Sequence, residues 1–407
     1  PNTLIGFNHA PNGYGGGIEV LGPARADIGS PGYNGSAVIQ FNGAQYGGGI
    51  AVLAINNQQD AVVRLFTTDP QNPVQIANND ASSKGGGIYL KSYIQFMPFE
   101  LASATGCAFN YRINDNAAAD GTAIYADRDQ DFSGQYAGSE FDLNQSDPCG
   151  PEPPAALGAV ACANGVPCNE MARNVAAQSD ATPTDGATIL VDNTGTLFAN
   201  KLVLRNNRGG RAIRLIGETD SDHFSRPGGS LSNCLLVDNQ LSAELIRDEA
   251  AHSNAFAIDG CTFATNTIGA GSVIHSEDAL SVTNALIDQP GDEALEYSGS
   301  AMLLFARYVL STDLSSLPSD PTIQLVGDPQ FVDTTNGDYH LQPTSPAVDY
   351  AGGVGGFDLE GHPRDVDLPA TPNGFGPRDL GPYEIQLDTV LGCAIADTIF
   401  CDGFDGQ

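Results

Sequence analysis

The stretches Gly15-Gly-Gly-Ile18, Gly47-Gly-Gly-Ile50 and Gly85-Gly-Gly-Ile88 repeat one phrase three times, and Gly121-Thr-Ala-Ile124 is a decayed fourth copy. Their isoleucines are 32, 38 and 36 residues apart. Related phrases end at Ile213, Ile246 and Ile274, with spacings of 33 and 28. A repeat period of about 20 to 50 residues is typical of solenoids, propellers and arrays, whose units bury their apolar faces against their neighbours.

The content of each unit decides among these architectures. Short β-rich stretches such as residues 37–41 and 50–55 alternate with Asn, Asp and Gly clusters, and no helical pattern of 10 to 15 residues intervenes. An Asn-containing turn stands six to nine residues before the repeat isoleucine, at Asn12, Asn42, Asn78, Asn79, Asn114, Asn116, Asn206, Asn207, Asn239 and Asn266. Asparagine tolerates left-handed backbone, so stacked asparagines can turn each coil at one corner. These features predict an all-β, right-handed parallel β-helix, because a propeller needs four-stranded antiparallel blades.

The rhythm of the repeat divides the chain into five parts. We predict N-terminal coils over residues 1–138, a Cys- and Pro-rich insertion over 139–195 and C-terminal coils over 196–344. Residues 345–385 are expected to fold over the last coil as a cap, with Arg364 and Arg378 pairing with acidic neighbours. Residues 386–407 form a tail that a disulfide clips.

The eight cysteines favour an oxidising compartment, because their number is even and they are partly clustered. Cys234 and Cys261 occupy matching positions in adjacent coils, about 4.8 Å apart, within disulfide reach. The alternative is a ladder of reduced cysteines inside the coil. Cys393 and Cys401 flank the tail. Cys107 is the natural partner for one of three cysteines in the insertion, Cys149, Cys162 and Cys168.

Five phrases follow one another near the C-terminus: Asp328-Pro-Gln-Phe-Val332, Asp338-Tyr-His-Leu341, Ser345-Pro-Ala-Val-Asp349, Asp358-Leu-Glu-Gly-His-Pro-Arg364 and Asp379-Leu-Gly-Pro-Tyr-Glu384. This order resembles the end of bacterial secreted β-helix proteins of the choice-of-anchor type. The Gly-Gly-x-Ile phrases and Phe263-x-x-Asn266 resemble polymorphic outer-membrane protein repeats. Residues 399–405 are similar to a tail of exported proteobacterial proteins, although Asp405 replaces the usual Glu. The resemblance implies export and display at the bacterial cell surface, and it implies no known reaction.

The charge of the chain limits its partners. The sequence contains 49 acidic and 17 basic residues. The resulting formal charge of −32 repels nucleic acid and anionic membranes. No apolar run reaches the roughly 18 residues of a membrane-spanning helix. The chain begins at Pro1 without an initiator Met, so we expect an exported chain whose signal peptide has been removed.

Catalytic residues are hard to find. A polysaccharide lyase needs a basic residue beside calcium-binding carboxylates, and the chain has lysines only at Lys84, Lys91 and Lys201. The residue set of polygalacturonases and the Gly-x-Ser-x-Gly elbow are missing from the sequence. His275 follows a repeat isoleucine and could face a lateral groove. We therefore expect no catalytic site, and a pectate-lyase-like enzyme stays an alternative.

Calcium is the one metal that the sequence suggests. Asp127, Asp129, Asp131 and Ser133 place oxygen ligands at alternate positions, like the start of an EF-hand loop. The pattern departs from that loop, because Phe132 stands where Gly should follow and Gly138 where Glu should end it. Glu218, Asp220 and Asp222 form a second acidic cluster. The alternative for both clusters is a solvated acidic turn, which the departures from the EF-hand pattern favour over calcium binding.

The N-terminus suggests assembly. Pro1, Leu4, Ile5 and Phe7 belong to an apparent first strand without a capping helix, and an uncovered sheet edge templates pairing with another chain. The leading hypothesis is a secreted structural or adhesive β-helix that polymerises head to tail. A glycan-binding adhesin is the second hypothesis, with Tyr125, Phe132 and Tyr136 as aromatic candidates, and the enzyme is the third.

Overall fold

The chain folds into a parallel β-helix of nine coils in its described part. The computed structural model describes residues 3–29, 37–55, 60–67, 72–95, 100–127, 129–130, 136–137, 140–143, 169–177, 184–192, 195–217, 228–249, 256–269, 271–277, 279–299, 303–353 and 355–387. A full coil contains four strands, which we number along the chain and assign to a first, second, third and fourth face. Pairing between successive coils is parallel on every face, as the repeat predicts.

The faces contain the following strands. The first face has β1 (Thr3–Gly6), β5 (Ala37–Gln40), β9 (Val74–Ala77), β15 (Tyr111–Asn114), β21 (Glu170–Ala172), β25 (Val203–Arg205), β29 (Leu235–Val237), β33 (Thr262–Ala264) and β38 (Ile323–Leu325). The second face has β2 (His9–Tyr14), β6 (Gly43–Tyr46), β10 (Asp80–Lys84), β16 (Ala117–Asp120), β22 (Val175–Ala176), β26 (Arg208–Gly209) and β30 (Gln240–Leu241). The third face has β3 (Ile18–Leu21), β7 (Ile50–Leu53), β11 (Ile88–Lys91), β17 (Ile124–Asp127), β23 (Ala187–Asp192), β27 (Arg211–Ile216), β31 (Ile246–Asp248), β34 (Ser272–Ser276) and β36 (Glu293–Tyr297).

The fourth face has β4 (Arg25–Ile28), β8 (Ala61–Phe66), β14 (Ala104–Phe109), β20 (Glu140–Leu143), β24 (Thr196–Asn200), β28 (Gly228–Ser232) and β32 (Phe256–Asp259). Two long strands, β35 (Leu280–Asp288) and β37 (Leu304–Ser311), run from the fourth face into the first, so both faces belong to one 18-stranded sheet. Three hairpins lie outside the coils: β12 (Tyr93–Gln95) with β13 (Glu100–Ala102), β18 (Asp129–Gln130) with β19 (Tyr136–Ala137), and β39 (Phe331–Asp333) with β40 (Asp338–Leu341). The last hairpin encloses a short 3-10 helix, Thr334–Asn336.

A ladder of side-chain amides, buried from Asn42 onward, holds the corner between the first and second faces. Its members are Asn8, Asn42, Asn79, Asn116, Asn174, Asn207, Asn239, Asn266 and Gln289. Each asparagine side-chain amide donates to the side-chain oxygen of the next rung, for example Asn79 to Asn116 Oδ1 at 3.0 Å, and the last one, Asn266, donates to Gln289 Oε1 at 3.3 Å. The residue before each asparagine is left-handed, such as Asn78 with φ of 54°. Stacked asparagines therefore turn every coil as predicted, except that the first rung is Asn8 and Asn12 lies within β2.

The glycine phrases turn the chain from the second face to the third. Gly15, Gly47, Gly85 and Gly121 all have positive φ, between 59° and 70°, a backbone that residues with a side chain adopt at a cost. The next glycine allows the coils to approach each other: a Cβ atom on Gly48 would lie 2.6 Å from the carbonyl oxygens of Asp80 and Gly86. The phrase thus combines a left-handed turn with close stacking.

The isoleucine that ends each phrase points into the core. In register, the third face stacks Ile18, Ile50, Ile88, Ile124, Ile189, Ile213, Ile246, Ile274 and Leu295. From Ile50 to Leu295 these side chains are at most 2% exposed. Each buried aliphatic side chain contributes roughly 1.5 to 3 kcal/mol of hydrophobic stabilisation, so this ladder is a main part of the core.

The predicted insertion, residues 139–195, contains a regular coil. Strands β20, β21, β22 and β23 lie in it, Asn174 continues the amide ladder, and Ile189 continues the isoleucine ladder. The prediction of an interruption over this whole range was wrong, because this coil turns without the glycine phrase. Residues 139, 144–168, 178–183 and 193–194 of the range lie outside the described residues.

The C-terminal segment, residues 326–353 and 355–387, lies against the outer side of the first face and does not close the last coil as we expected. At one register position of this face, the side chains that point outward stack in a column. This column contains Gln75 and Arg112 in early coils and apolar residues in later ones. The apolar members include Val203, Leu235, Leu286 and Leu310. Val348 and Leu380 of the segment pack on Leu286 and Leu310. The apolar column therefore determines where the segment docks.

Polar contacts fix the C-terminal segment in place. The Arg364 guanidinium donates to Asn233 Oδ1 at 2.9 Å, and the Gly381 amide donates to the Asn284 carbonyl at 3.0 Å. Arg378 pairs with Asp365 at 2.7 Å. Both arginines thus have the polar and acidic neighbours that the sequence predicted, at positions along the side of the solenoid.

One predicted disulfide is confirmed. Cys234 and Cys261 are bonded, with Cα atoms 4.5 Å apart, and both are fully buried. Cys107 is also disulfide-bonded, to a partner outside the described residues. Cys149, Cys162, Cys168, Cys393 and Cys401 lie outside them as well, so their predicted pairings stay predictions.

Candidate functional site

The first coil, β1 to β4, leaves its strand edges open. Among the described strands, β1 pairs only with β5, β2 with β6, β3 with β7 and β4 with β8. Backbone N–H and C=O groups on the far side of each strand therefore face outward. Such edges are templates for pairing with another strand.

Apolar side chains accompany these open edges. Leu4 is 57% exposed, Phe7 75% and Leu21 43%. Ile5 and Ile18 pack on the core but are only partly buried, since no earlier coil covers them among the described residues. Leu4, Ile5 and Phe7 were the predicted assembly residues, and the structure brings them together at this end; Pro1 lies outside the described residues.

Two aromatic stacks also begin at the first coil. The Phe7 ring lies on that of Phe41 with centroids 5.2 Å apart, and the Tyr14 ring lies on that of Tyr46 at 5.0 Å. Asn8 starts the amide ladder by donating to Asn42 Oδ1 at 3.0 Å. The amide, aromatic and isoleucine ladders thus all start without a preceding rung in the described chain. Tyr14 and Leu21 were missed by the sequence analysis, although Tyr14 directly precedes the first glycine phrase.

At the opposite end of the solenoid the edge of the third face is covered, whereas β38 and residues 304–307 of β37 each pair on one side only among the described strands. In the loop of residues 312–322, Asp313 and Ser316 accept hydrogen bonds from the amides of Ala294 and Leu295 on the edge strand β36. Leu317 packs on the core, and the Thr312 hydroxyl accepts from the backbone N–H of Gln289, the last rung of the amide ladder, at 3.0 Å. Burial opposes ionisation of Asp313, but hydrogen bonds from Ser315, Ser316 and Ala294 lower its pKa to about 2. The two ends of the solenoid are therefore not equivalent.

A lateral cleft of about 220 Å³ lies where the C-terminal segment leaves the first face. Val203, Leu235 and Val237 lie at its base, on the outer side of β25 and β29, and are at most 3% exposed because side chains of the C-terminal segment pack on them. Its walls carry polar and aromatic side chains, namely Arg205, Asp238, Asn336, Asp338, Tyr339, His340, Glu360 and Tyr383.

His340 is held between two carboxylates at this cleft. Its Nδ1 atom lies 2.6 Å from Asp338 and its Nε2 atom 3.0 Å from Glu360, while the ring packs on Tyr383 with centroids 4.0 Å apart. Burial opposes the charged imidazolium, but the hydrogen bonds and charges of Glu360 and Asp338 outweigh burial and raise the pKa of His340 to about 9. The ring is therefore an imidazolium at neutral pH.

The other charged groups of the cleft are also paired. Arg205 lies 2.6 Å from the buried Glu170 carboxylate. Asp238 Oδ1 accepts hydrogen bonds from the hydroxyls of Thr265 at 2.8 Å and Tyr339 at 3.0 Å. These contacts join the solenoid to the C-terminal segment and fix the positions of the polar groups around the cleft.

The calcium candidates are only partly described. The Asp127 carboxylate lies 3.3 Å from Lys84 Nζ and 2.5 Å from the Tyr89 hydroxyl, so protein groups already partner it. For Asp129 the backbone alone is described, in β18, and Asp131 and Ser133 lie outside the described residues. Within the described ranges no three His, Cys, Asp or Glu side chains cluster as metal ligands. Calcium binding by this loop stays a prediction.

The remaining predicted residues are scattered. Tyr125 is 4% exposed, with its hydroxyl 3.4 Å from Asp192, and is covered by Lys84. Only the backbone of Tyr136 is described; Phe132, Glu218, Asp220 and Asp222 fall outside. His275 lies on the outer side of the third face, buried, with Nδ1 2.8 Å from Glu296. These residues do not converge on the lateral cleft.

No protein family, curated protein or solved structure matches the chain. In the part of the chain that the structure describes, no helix has the length and apolar character needed to cross a membrane.

Proposed function

We propose that the protein is an extracellular structural or adhesive β-solenoid that associates with a second copy of itself through the first coil. The observation that carries the proposal is that all four strands of the first coil expose one edge together with apolar side chains, whereas residues 312–322 cover the third-face edge of the last coil. The Cys234–Cys261 disulfide supports an oxidising exterior. The resemblance to bacterial surface β-helix proteins supports the same location.

The covered third-face edge of the last coil favours one mode of association over another. A head-to-tail filament would match all four open edges of the first coil to the last coil, where the amides of Ala294 and Leu295 are already bonded. Two first coils can instead meet around a twofold axis. Such a contact uses the same surface on both copies and closes as a dimer. The proposal therefore replaces the filament by a pair of solenoids joined at their first coils.

The negative charge of the chain opposes this contact and makes the dimerisation depend on salt concentration. Each chain carries a formal charge of −32, so two copies repel each other at low ionic strength. Within the first coil, Arg25 pairs with Asp27 at 2.9 Å, which reduces local repulsion. Salt screens long-range repulsion and strengthens apolar contact. The dimer is therefore expected to tighten as salt is added.

Sedimentation equilibrium of the full chain, at low and high salt, tests the proposal. The wild type is expected to dimerise in the micromolar range, more tightly at high salt. Phe7→Asp should shift the chain to monomer, because it places a charge in the apolar contact while aspartate tolerates the left-handed backbone, with φ of 63°, at this position. Phe305→Asp is the matched control, since Phe305 is 51% exposed but lies on β37.

A monomeric wild type at all concentrations contradicts the proposal. Equal effects of Phe7→Asp and Phe305→Asp also contradict it, because they would place the contact elsewhere.

A further inference from the structure

We propose that Asn12 is a site of spontaneous deamidation, at which the backbone converts the asparagine to aspartate or isoaspartate as the protein ages. The modification needs no enzyme, because the backbone nitrogen of Gly13 supplies the attacking group. It does not depend on association through the first coil. The observation that carries it is a difference in local structure among the Asn-Gly pairs of the chain.

Six asparagines are followed by glycine, and these are Asn12, Asn34, Asn42, Asn164, Asn336 and Asn373. Asn34 and Asn164 lie outside the described residues, which leaves four pairs to compare. A glycine at the second position favours the reaction, because it has no side chain and its backbone moves more freely than that of other residues.

The reaction is a displacement at the side-chain amide. The backbone nitrogen of Gly13 loses its proton and attacks Cγ of Asn12, the bond between Cγ and Nδ2 breaks, and ammonia leaves. Water then opens the resulting five-membered succinimide at either carbonyl, which yields aspartate or isoaspartate. The reaction therefore requires a side chain that water reaches and a backbone that can bring the nitrogen to Cγ.

Asn12 meets both requirements, because it lies in a bulge of β2. Pairing with β6 passes from Ala10 directly to Tyr14, so residues 11–13 stand outside the ladder. The Asn12 side chain is exposed. An added Cβ atom on Gly13 would have its nearest neighbour at 3.7 Å, an ordinary contact, so the backbone around the attacking nitrogen is not tightly packed.

The other three described pairs are held more firmly. Their attacking N–H groups donate to backbone carbonyls at 2.7 to 3.0 Å, at Gly43, Gly337 and Gly374. Asn42 is also a rung of the amide ladder and only 2% exposed, and the Asn336 side-chain amide donates to Asp333 at 2.6 Å. Among the described pairs, Asn12 alone combines an exposed side chain with a position in a bulge.

Deamidation changes the first coil in two ways. It adds one negative charge to a chain whose formal charge is already −32, and isoaspartate lengthens the backbone of β2 by one atom. The effect on association rests on the proposed function: the added charge increases the repulsion between two first coils. Aged protein is therefore expected to dimerise more weakly than fresh protein.

Peptide mass spectrometry of the full chain, stored in mildly alkaline buffer, tests the modification. We expect Asn12 to convert severalfold faster than the other three described pairs, to a mixture of aspartate and isoaspartate. Gly13→Ala should slow this conversion severalfold, because the methyl group restricts the attacking nitrogen, and its nearest contact of 3.7 Å leaves the fold intact. Gly327→Ala, which meets no heavy atom within 4 Å, is the matched control and should leave the Asn12 rate unchanged.

The inference is overturned if Asn12 converts no faster than the other three described pairs, or if Gly13→Ala converts as fast as the control. Sedimentation equilibrium of Asn12→Asp beside the wild type tests the effect on association, and we expect a severalfold weaker dimer at low salt. Equal dimers would refute that effect. A wild type that is monomeric throughout would refute the proposed function, whereas the mass spectra decide on Asn12 in either case.

Discussion

The Glu384 carboxylate lies 3.5 Å from Arg364 Nε, and both side chains are buried, with at most 3% of either exposed. The Arg364 Nη2 group does not bond to Glu384; it donates to the Asp379 carbonyl at 2.6 Å and to the Gly381 carbonyl at 2.9 Å. Burial, reinforced by the charge of Asp379, therefore outweighs Arg364 and raises the pKa of Glu384 to about 8. Burial also raises the pKa of Asp349 and of Asp379 to about 6.

These raised pKa values predict that the protein becomes less stable as pH rises. The pKa of Glu384 increases from 4.5 to about 8 on folding, so the folded chain is penalised once the group must ionise. The free energy of unfolding should fall as pH rises from about 5 to 8. Glu384→Gln cannot ionise, but its amide nitrogen replaces one of the two oxygens that accept from the Val366 and Asp379 backbone N–H groups. We therefore expect it to be less stable than the wild type at pH 5 by about 1 to 2 kcal/mol and to lose much less stability between pH 5 and 9.

Urea unfolding across this pH range measures the effect, with Glu293→Gln as the exposed control. A Glu384→Gln protein that loses stability with pH as steeply as the wild type would show that Glu384 is not responsible.

His340 provides a second pH-dependent contribution. Its pKa rises from 6.5 to about 9 on folding, so its ion pairs stabilise the fold fully below pH 6.5, and this stabilisation is lost as pH rises through 9. We expect a titration of the His340 ring, followed by magnetic resonance, to show a midpoint near 9. Glu360→Gln should lower that midpoint, because one of the two carboxylates is removed. A wild-type midpoint at or below 6.5 would refute the proposed ion pairs.

The amide ladder predicts a large penalty for losing one rung. In Asn116→Ala, the backbone and side-chain amides of Asn79 both lose their acceptor, and the Ile76 carbonyl loses a donor. We expect a loss of roughly 2 to 4 kcal/mol in the free energy of unfolding. Asn12→Ala, at an exposed position of β2, should change it by no more than about 0.5 kcal/mol. Denaturant unfolding distinguishes these outcomes, and equal losses would rule out a special role of the ladder.

The glycine turns predict a second contrast. At Gly85, with φ of 70°, an added Cβ atom would lie 2.6 Å from the Ile88 carbonyl oxygen. Gly85→Ala should therefore cost roughly 2 kcal/mol or more in thermal or denaturant unfolding. Gly327→Ala meets no heavy atom within 4 Å and should be close to neutral. If Gly85→Ala were tolerated as well as Gly327→Ala, the turn would not depend on glycine.

The architecture could be predicted because its signals are local and repeated. Each glycine phrase indicates a left-handed turn, and each Asn rung indicates a corner of a coil. Aligning the coils on these signals places Cys234 and Cys261 at matching positions, which predicted their disulfide. The coil with Asn174 and Ile189 was missed because no glycine phrase marks it. The sequence predicted Asn12 as the first rung because both Asn8 and Asn12 lie close to the first glycine phrase. Only the pairing register between β2 and β6 shows that Asn8 is the residue that stacks on Asn42.

The lateral cleft could not be predicted from the sequence. Arg205 and Asp238 come from the coils, whereas His340 and Glu360 come more than 100 positions later, and only docking of the C-terminal segment brings them together. Asp338 and His340 drew attention as part of a family phrase, without indicating what they would face. The docking depends on the change from Arg112 to Val203 and Leu235 in one outward column, which the irregular coil lengths obscure in the sequence.

The amide ladder makes coil length free to vary. Successive rungs are separated by as few as 23 residues, between Asn266 and Gln289, and by as many as 58, between Asn116 and Asn174. The side-chain hydrogen bonds of these two steps nevertheless stay at 3.3 Å and 3.1 Å. Loops can therefore be lengthened or exchanged between rungs without disturbing the corner, which makes the solenoid a modular support for grafting new surface loops.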